Sequence, residues 1–232
     1  MKLIIASLNY SSWSARAWLV LTQAGIDFET ETVGLLVDQD WKSQIMAHSP
    51  AGKVPILVDG GLTVHESLAI CEYAHELRPE AGLWPDDPIQ RARARAVSTE
   101  MVAGFPLLRE NLPMNYRARV PDFTPDDATC AEIERVVQLW EACRSCATGG
   151  AYLFGRFGIA DAMYLPVLSR FRTYGVAVDG AAATYAEAMW HQPTVRCWVA
   201  QAERAPAIPH YDMMTRERSC ESSGHGKSDL AR

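Results

Sequence analysis

The chain has 232 residues, enough for one large or two small domains, and 48% of them are hydrophobic, which can build a sizeable core. Its formal net charge of -6 argues against a nucleic-acid partner. No apolar run approaches the roughly 18 residues that cross a bilayer, and the start at Met1 lacks the apolar stretch and cleavage site of a signal peptide. We therefore expect no membrane partner.

Cysteine usage favours a reducing compartment. The six cysteines are scattered and are expected to be the reduced thiols of a cytoplasmic protein. Cys143 and Cys146 form a single CxxC pair, whereas a zinc site needs a second ligand pair nearby. We expect no metal.

The first predicted elements are a strand at Lys2–Ser7, a serine-rich turn and a helix at Ala15–Ala24, which Gly25 ends. The turn, Ser11-Ser12-Trp13-Ser14, places hydroxyl groups at the start of the helix. A hydroxyl there can donate a hydrogen bond to a thiolate, which the helix dipole also favours. The alternative role of such a serine is to cap the helix.

A second strand is predicted at Ile26–Val33, and a third begins after Val54-Pro55. Proline suits the first position of a strand because it lacks a backbone donor. With a cis bond before Pro55, the N–H and C=O of Val54 would face outward and could pair with an extended peptide. An ordinary turn proline is the alternative.

A hairpin follows, because Asp59-Gly60-Gly61 separates two apolar runs over residues 56–64. The next helix opens at Glu66-Ser67. Its N-terminus and the Ser67 hydroxyl could hold a ligand carboxylate, and Glu66 could meet an ammonium group. Alternatively both residues only cap the helix.

Residues 79–88 are rich in proline and turn formers and are predicted to be a linker between two domains, 1–78 and 89–211. The second domain is predicted to be helical, and 212–232 to be a disordered tail. In this domain Asp161, three residues after Gly158, is assigned to helix capping. The predicted helices are Ile89–Arg109, Ala128–Cys146, Ile159–Tyr174, Thr184–His191 and Val195–Arg204.

Together these motifs resemble the glutathione transferase superfamily over residues 1 to about 211. The turn with Arg16 is similar to the Ser-Ser-Cys-Ser start of zeta-type enzymes, but Trp13 stands where those have cysteine. Without that cysteine, chemistry through a mixed disulfide lacks its nucleophile, so activation of a thiolate by serine is preferred. Zeta patterns match this serine to Ser11, whereas theta and delta patterns match it to Ser12. Both are candidate catalytic residues, with Ser11 preferred; Tyr10 is a further alternative.

The resemblance implies an α/β thioredoxin-like N-terminal domain followed by an all-α helical-bundle domain. It implies glutathione as co-substrate, a cis-proline at Pro55, the γ-glutamyl end of glutathione at Glu66-Ser67, and a homodimer formed by the hairpin side and the first long helix. His48 and Lys53 would hold the glycine end. The implied glutathione-binding residues are Trp13, His48, Lys53, Val54, Pro55, Glu66 and Ser67.

A small electrophilic second substrate is expected in a cleft between the domains. Core packing is the alternative for each candidate wall residue. An arginine group, Arg109, Arg117 and Arg119, could favour an acidic acceptor, although a solvated face is preferred. Besides Trp13, the candidates for this pocket are Met101, Phe105, Leu108, Arg109, Met114 and Tyr116.

The expected function is that of a glutathione transferase, in which the thiolate attacks an electrophilic carbon. Two alternatives remain open. A glutathione-dependent cis-trans isomerase of maleyl acids would use the same thiolate, and a non-catalytic scaffold would share only the fold.

Overall fold

A computed structural model describes residues 1–35, 37–120 and 122–215 of the chain. The remainder of the predicted tail, 216–232, lies outside the described residues. The strands are β1 (Lys2–Ile5), β2 (Glu29–Thr32), β3 (Ile56–Asp59) and β4 (Leu62–His65). The helices are α1 (Ser12–Gln23), α2 (Trp41–His48), α3 (Ser67–Leu77), α4 (Pro88–Ala103), α5 (Pro106–Asn111), α6 (Asp127–Cys146), α7 (Ile159–Tyr174), α8 (Gly180–His191) and α9 (Pro193–Arg204).

The four strands form one mixed sheet in the order β2-β1-β3-β4. β1 pairs in parallel with β2, and β3 runs antiparallel to both β1 and β4. The β3–β4 hairpin turns at Gly60-Gly61, as predicted, and Gly60 has a positive φ of 56°. This sheet with its flanking helices, followed by a helical region, confirms the predicted fold class.

α1 joins the two parts of the molecule, because it packs on α3 of the first part and on α7 of the second. α1 ends at Gln23, close to the predicted stop at Gly25, which has a φ of 64°. α7 is buried along nearly its whole length, and its N-terminus is held by Asp161, whose carboxylate accepts the N–H groups of Gly158 at 2.8 Å and Leu153 at 3.0 Å. Because α1 contacts both parts of the molecule, the serine turn at its start stands at their junction.

The prediction of one helix over Ile89–Arg109 is wrong, since α4 ends at Ala103 and α5 starts at Pro106. Phe105 between them has a φ of 60°, and Pro106 has no N–H with which to continue α4. A Cβ at Gly104 would lie 2.8 Å from the carbonyl oxygen of Glu100, so the break also depends on glycine at that position. The second strand is shorter than predicted, Glu29–Thr32 instead of Ile26–Val33.

Two elements lack a sequence prediction. α2 was missed because only Ile45 of its eight residues is buried, so it has no clear apolar face. Residues 209–215 are also helical. The first four residues of the predicted tail, 212–215, belong to this C-terminal segment, and Thr215 is buried.

Candidate functional site

The serine turn, the loop before β3 and the start of α3 meet at one cleft of about 620 Å³. Residues from α4, from the region of α2 and from the C-terminal segment close its other sides. The lining residues are Ala6, Ser7, Tyr10, Ser11, Ser12, Trp13, Leu35, Trp41, Ile45, Ala51, Gly52, Lys53, Val54, Pro55, His65, Glu66, Val102, Ile208 and Tyr211.

The loop before β3 offers an open stretch of backbone to this cleft. The Val54–Pro55 bond is cis. Among the described residues, neither the N–H nor the C=O of Val54 has a hydrogen-bonding partner. Since β3 begins two residues later, these groups are placed where an extended peptide could continue the sheet.

The start of α3 presents a carboxylate to the cleft. Glu66 caps the helix: it has a φ of 79°, and its side chain accepts the N–H of Leu68 at 3.1 Å. Ser67 is buried beneath it and donates its hydroxyl to Glu66 Oε1 at 3.2 Å. The helix N-terminus therefore lies beside an exposed carboxylate that can pair with an ammonium group.

Ser11 and Ser14 share a hydrogen bond in the serine turn, with their hydroxyl oxygens 2.7 Å apart. Ser11 caps α1 and accepts the backbone N–H of Ser14 at 3.3 Å. Ser14 is fully buried and accepts the N–H of Ala6 at 3.1 Å. Its own proton needs an acceptor, and Ser11 is the acceptor within reach, so Ser14 donates to Ser11. The proton of the partly exposed Ser11 is then free to point into the cleft.

Ser12, the first residue of α1, lines the same cleft. Within the described part of the chain its hydroxyl makes no hydrogen bond. Ser7 is a third hydroxyl in the lining, and its Oγ is buried without a partner among the described residues. The turn therefore carries hydroxyl groups that a ligand could engage.

Trp13 separates the cleft from two arginines. Its ring centroid lies 4.5 Å from the guanidinium carbon of Arg16 and 5.0 Å from that of Arg109. Arg16 is completely buried, and burial lowers its pKa to about 9, with further lowering by the charges of Arg109 and Arg170. The wall behind Trp13 therefore carries positive charge.

Tyr10 has a different position from a thiol-activating hydroxyl. Its oxygen donates to Asp212 at 2.7 Å and accepts from Arg117 Nη2 at 2.7 Å and from the N–H of Ile208 at 3.1 Å. Its ring stacks on Tyr211 at 5.0 Å between centroids. Tyr10 thus fastens the C-terminal segment over the cleft.

Asn9, which sequence reasoning did not single out, fixes the turn to the helical part. It donates to Asn115 Oδ1 at 2.8 Å and accepts the N–H of Tyr116 at 2.9 Å, and Asn9 and Asn115 are both buried. A sequence signal for the C-terminal lining existed, because Ile208 and Tyr211 are three positions apart at the start of the helical residues 209–215.

The structure brings Ser11, Ser12, Trp13, Lys53, Val54, Pro55 and Glu66 together at the cleft. His48 lies elsewhere, with Nε2 3.0 Å from Glu31 Oε1. The apolar candidates for the second-substrate pocket do not reach the cleft wall; they are Met101, Phe105, Leu108, Met114 and Tyr116, all in the main core. Met101 lies on the buried face of α4, which packs on α7, whereas Val102, the next residue of α4, lines the cleft.

Two searches of the described residues bear on other kinds of site. No group of three or more histidine, cysteine, aspartate or glutamate side chains in that part of the chain could hold a metal ion. No helix there is long and apolar enough to cross a membrane.

Residues 10–77 match the family described as glutathione S-transferase, N-terminal domain. The chain is 42% identical over 104 residues to a probable maleylacetoacetate isomerase of Caenorhabditis elegans, a match covering 45% of this chain and 48% of that protein. It is 29% identical over 188 residues to the maleylacetoacetate isomerase of Pseudomonas aeruginosa, covering 77% and 85%. The chain thus aligns with about half the length of the Caenorhabditis relative and with most of the Pseudomonas one.

Among solved structures, a glutathione transferase homologue from Burkholderia with bound glutathione superposes with a TM-score of 0.67 and 27% identity, covering 88% of this chain and 98% of that one. The family match of residues 10–77 and this structural similarity together define the class of protein, a thioredoxin-like domain followed by a helical domain. Residues 10–77 thus belong to the glutathione S-transferase N-terminal domain family, and the chain as a whole has the fold of the glutathione transferase homologue from Burkholderia.

Proposed function

We propose that this protein is a glutathione transferase that holds glutathione as a thiolate for attack on a small electrophilic substrate. The observation that carries the proposal is the convergence on one cleft of an unpaired strand-like backbone at Val54, a carboxylate at the start of α3 and the serine turn. These are the features needed for an extended peptide with a free ammonium group and a thiol.

The three features suggest one orientation for glutathione. Its backbone would pair with Val54, and its γ-glutamyl ammonium group would meet Glu66. The γ-glutamyl carboxylate would lie at the N-terminus of α3, and the glycine carboxylate within reach of Lys53. The thiol would then face the start of α1.

Ser11 is the proposed donor to the thiolate. Because Ser14 donates to Ser11, the Ser11 proton remains available for a ligand, and the N-terminus of α1 favours an anion at the same point. The thiol proton leaves to solvent through the open cleft. Ser12 is the second candidate, since its hydroxyl lines the cleft and is unpaired in the described part of the chain.

The electrophile would bind beside Trp13, under the C-terminal segment. Tyr10, Val102, Ile208 and Tyr211 supply apolar and aromatic surface there. These residues replace the buried side chains predicted from sequence as the walls of the second-substrate pocket.

A cis-trans isomerase of maleyl acids is the second candidate function. It is favoured by similarity to the probable maleylacetoacetate isomerase of Caenorhabditis elegans and to the maleylacetoacetate isomerase of Pseudomonas aeruginosa. The same thiolate would add to a double bond and leave after rotation, so glutathione would be regenerated. The concentration of free glutathione during turnover distinguishes the two reactions. A transferase consumes glutathione as it reacts with an electrophile, whereas an isomerase leaves the concentration unchanged as it converts a maleyl acid.

We propose further that the protein is a cytoplasmic homodimer. The proposal of a dimer is supported by exposed apolar side chains that could contact a second copy, on the hairpin (Leu62), at the end of α3 (Leu77) and at the start of α4 (Ile89). The described cysteines are all unpaired, which agrees with a reducing compartment. Light scattering after size exclusion measures the mass, and a monomer would contradict the dimer.

The primary test is calorimetric titration of the full chain with glutathione, paired with ultraviolet detection of the bound thiolate. We expect binding and a thiolate signal at neutral pH. Ser11→Ala should keep binding and lose most of the thiolate, whereas Ser12→Ala serves as the matched comparison. Absence of binding would favour the scaffold alternative.

A further inference from the structure

Arg16 of α1 and Arg109 of α5 lie against the ring of Trp13, and Arg170 of α7 lies close enough for its charge to interact with both. We call these three residues the arginine cluster. Arg16 and Arg170 are 1% and 5% exposed, and Arg109 is partly buried. Burial and the charge of Arg109 hold the pKa values of Arg16 and Arg170 at about 9 and about 10, so all three stay charged at neutral pH.

The cluster is held by backbone carbonyls instead of carboxylates. Arg16 Nε donates to Met163 at 3.2 Å, and Arg170 Nη1 donates to Pro166 at 3.1 Å. Arg109 Nη2 donates to the carbonyls of Met101 and Val102. In the described part of the chain none of the three arginines forms an ion pair, and Arg16 Nη1, Arg109 Nε and Arg170 Nε are buried without a partner.

The surrounding titratable groups offset little of this charge. Burial raises the pKa values of Cys71, beside Arg16, and Tyr116, which interacts with Arg170, so both remain neutral. Glu66 acts on Arg16 and Glu132 acts on Arg109, both from beyond ion-pair distance. Glu66 is exposed at the cleft, where the proposed ammonium group would neutralise it.

The excess charge lies one layer of side chains from the cleft. Trp13, which follows Ser12, has its ring against both Arg16 and Arg109. The Val102 carbonyl that Arg109 contacts belongs to another lining residue. A partly buried charge at such a distance is weakly screened by salt and acts on whatever anion occupies the serine turn.

We propose that the arginine cluster stabilises the thiolate form of glutathione at the serine turn through space, adding to the hydrogen bond from Ser11. This inference rests on the proposed function. The three arginines do not touch the sulfur, so they are not catalytic residues. A bound anion offsets the mutual repulsion of the three buried arginines. Glutathione binding is therefore linked to proton release from its thiol.

The test is the pKa of glutathione bound to the full-length protein, from ultraviolet absorbance against pH. Arg109→Met removes the most accessible charge of the cluster and should raise the bound thiol pKa by about one unit, as expected for a unit charge roughly 10 Å away at an effective dielectric constant of about 20. Arg109→Lys restores the charge and should return most of the shift. Arg119→Met, which removes an exposed arginine that also bonds to backbone carbonyls, is the matched control and should leave the thiol pKa unchanged.

S-methylglutathione, which has no ionisable thiol, separates charge stabilisation from damage to the site. We expect Arg109→Met to bind it as tightly as the wild type does, while glutathione at neutral pH binds several-fold more weakly. Equal loss of affinity for both ligands, or an unchanged thiol pKa with normal binding, would overturn the inference and leave the transferase proposal intact. A wild-type protein that does not bind glutathione would overturn both.

Discussion

Ser14 directs the hydroxyl of Ser11, because the two oxygens are 2.7 Å apart and the described residues offer the proton of the buried Ser14 no other acceptor. The hydroxyl oxygen of Ser14 accepts a hydrogen bond from the backbone N–H of Ala6, the residue that follows β1. A chain of hydrogen bonds therefore runs from the sheet through the first turn of α1 to the cleft. Such a chain polarises its last hydroxyl and improves it as a donor.

Ser14→Ala should raise the pKa of bound glutathione, though by less than Ser11→Ala, since the backbone N–H at position 14 still fixes Ser11. It should also lower the free energy of unfolding by about 1–3 kcal/mol, because the buried N–H of Ala6 loses its acceptor. Ultraviolet titration and denaturant unfolding measure the two effects. A thiol pKa equal to that of the wild type would show that Ser11 does not depend on Ser14.

Tyr10→Phe should loosen the C-terminal segment without changing the thiol. The hydroxyl lost in this variant binds Asp212, Arg117 and the N–H of Ile208. We expect faster hydrogen exchange in residues 208–215 and weaker binding of the electrophile. The pKa of the thiol of bound glutathione should be unchanged. Loss of the thiolate signal in Tyr10→Phe would instead identify Tyr10 as the activating group.

Local chemistry made the first domain predictable from sequence. Pro55 at a strand start, the Gly60-Gly61 turn and the serine cap each act within a few residues, and each lies where expected. The cleft wall depends on long-range packing, which a local pattern does not contain. Met101 and Val102 are neighbours on α4, yet the first is buried in the core and the second lines the cleft.

The arginine cluster was hidden for the same reason. Arg16, Arg109 and Arg170 are distant in the chain, and nothing in their neighbourhoods marks them as buried. Arg109 was grouped with Arg117 and Arg119, which are near in sequence but bind other partners: Arg117 contacts Tyr10, and Arg119 is exposed. Only the packing of α1, α5 and α7 reveals which charges act together.

Lys53→Ala and His48→Ala separate a cleft residue from a surface one. Lys53 lines the cleft near Val54, so its removal should weaken glutathione binding by about 1.5- to 5-fold, the usual range for an exposed charged contact. His48 pairs with Glu31 away from the lining, and His48→Ala should leave the affinity unchanged. Calorimetric titration of both variants at two salt concentrations checks this, since the contribution of Lys53 should shrink as salt rises. The reverse order of effects would restore His48 as the group that holds the glycine end.

Asp161 should make stability fall with rising pH. Burial raises its pKa to about 7, above the ordinary value of 3.8, so the folded protein retains a proton there that the unfolded chain has lost. This stabilisation is fully present below about pH 4 and is lost as the pH rises through about 7, and by linkage the loss is at most about 4 kcal/mol.

Asp161→Asn removes the titration but cannot accept both N–H groups as the carboxyl does. We expect the variant to be less stable than the wild type at every pH, with a difference that is largest near pH 4 and narrows towards pH 8. Denaturant unfolding of both proteins across this pH range measures the difference in the free energy of unfolding. The other carboxylates contribute the same pH dependence to both proteins, so their contribution cancels in this difference. A difference that is independent of pH would mean that Asp161 is ionised throughout, with its charge held by the N-terminus of α7 and the two N–H groups.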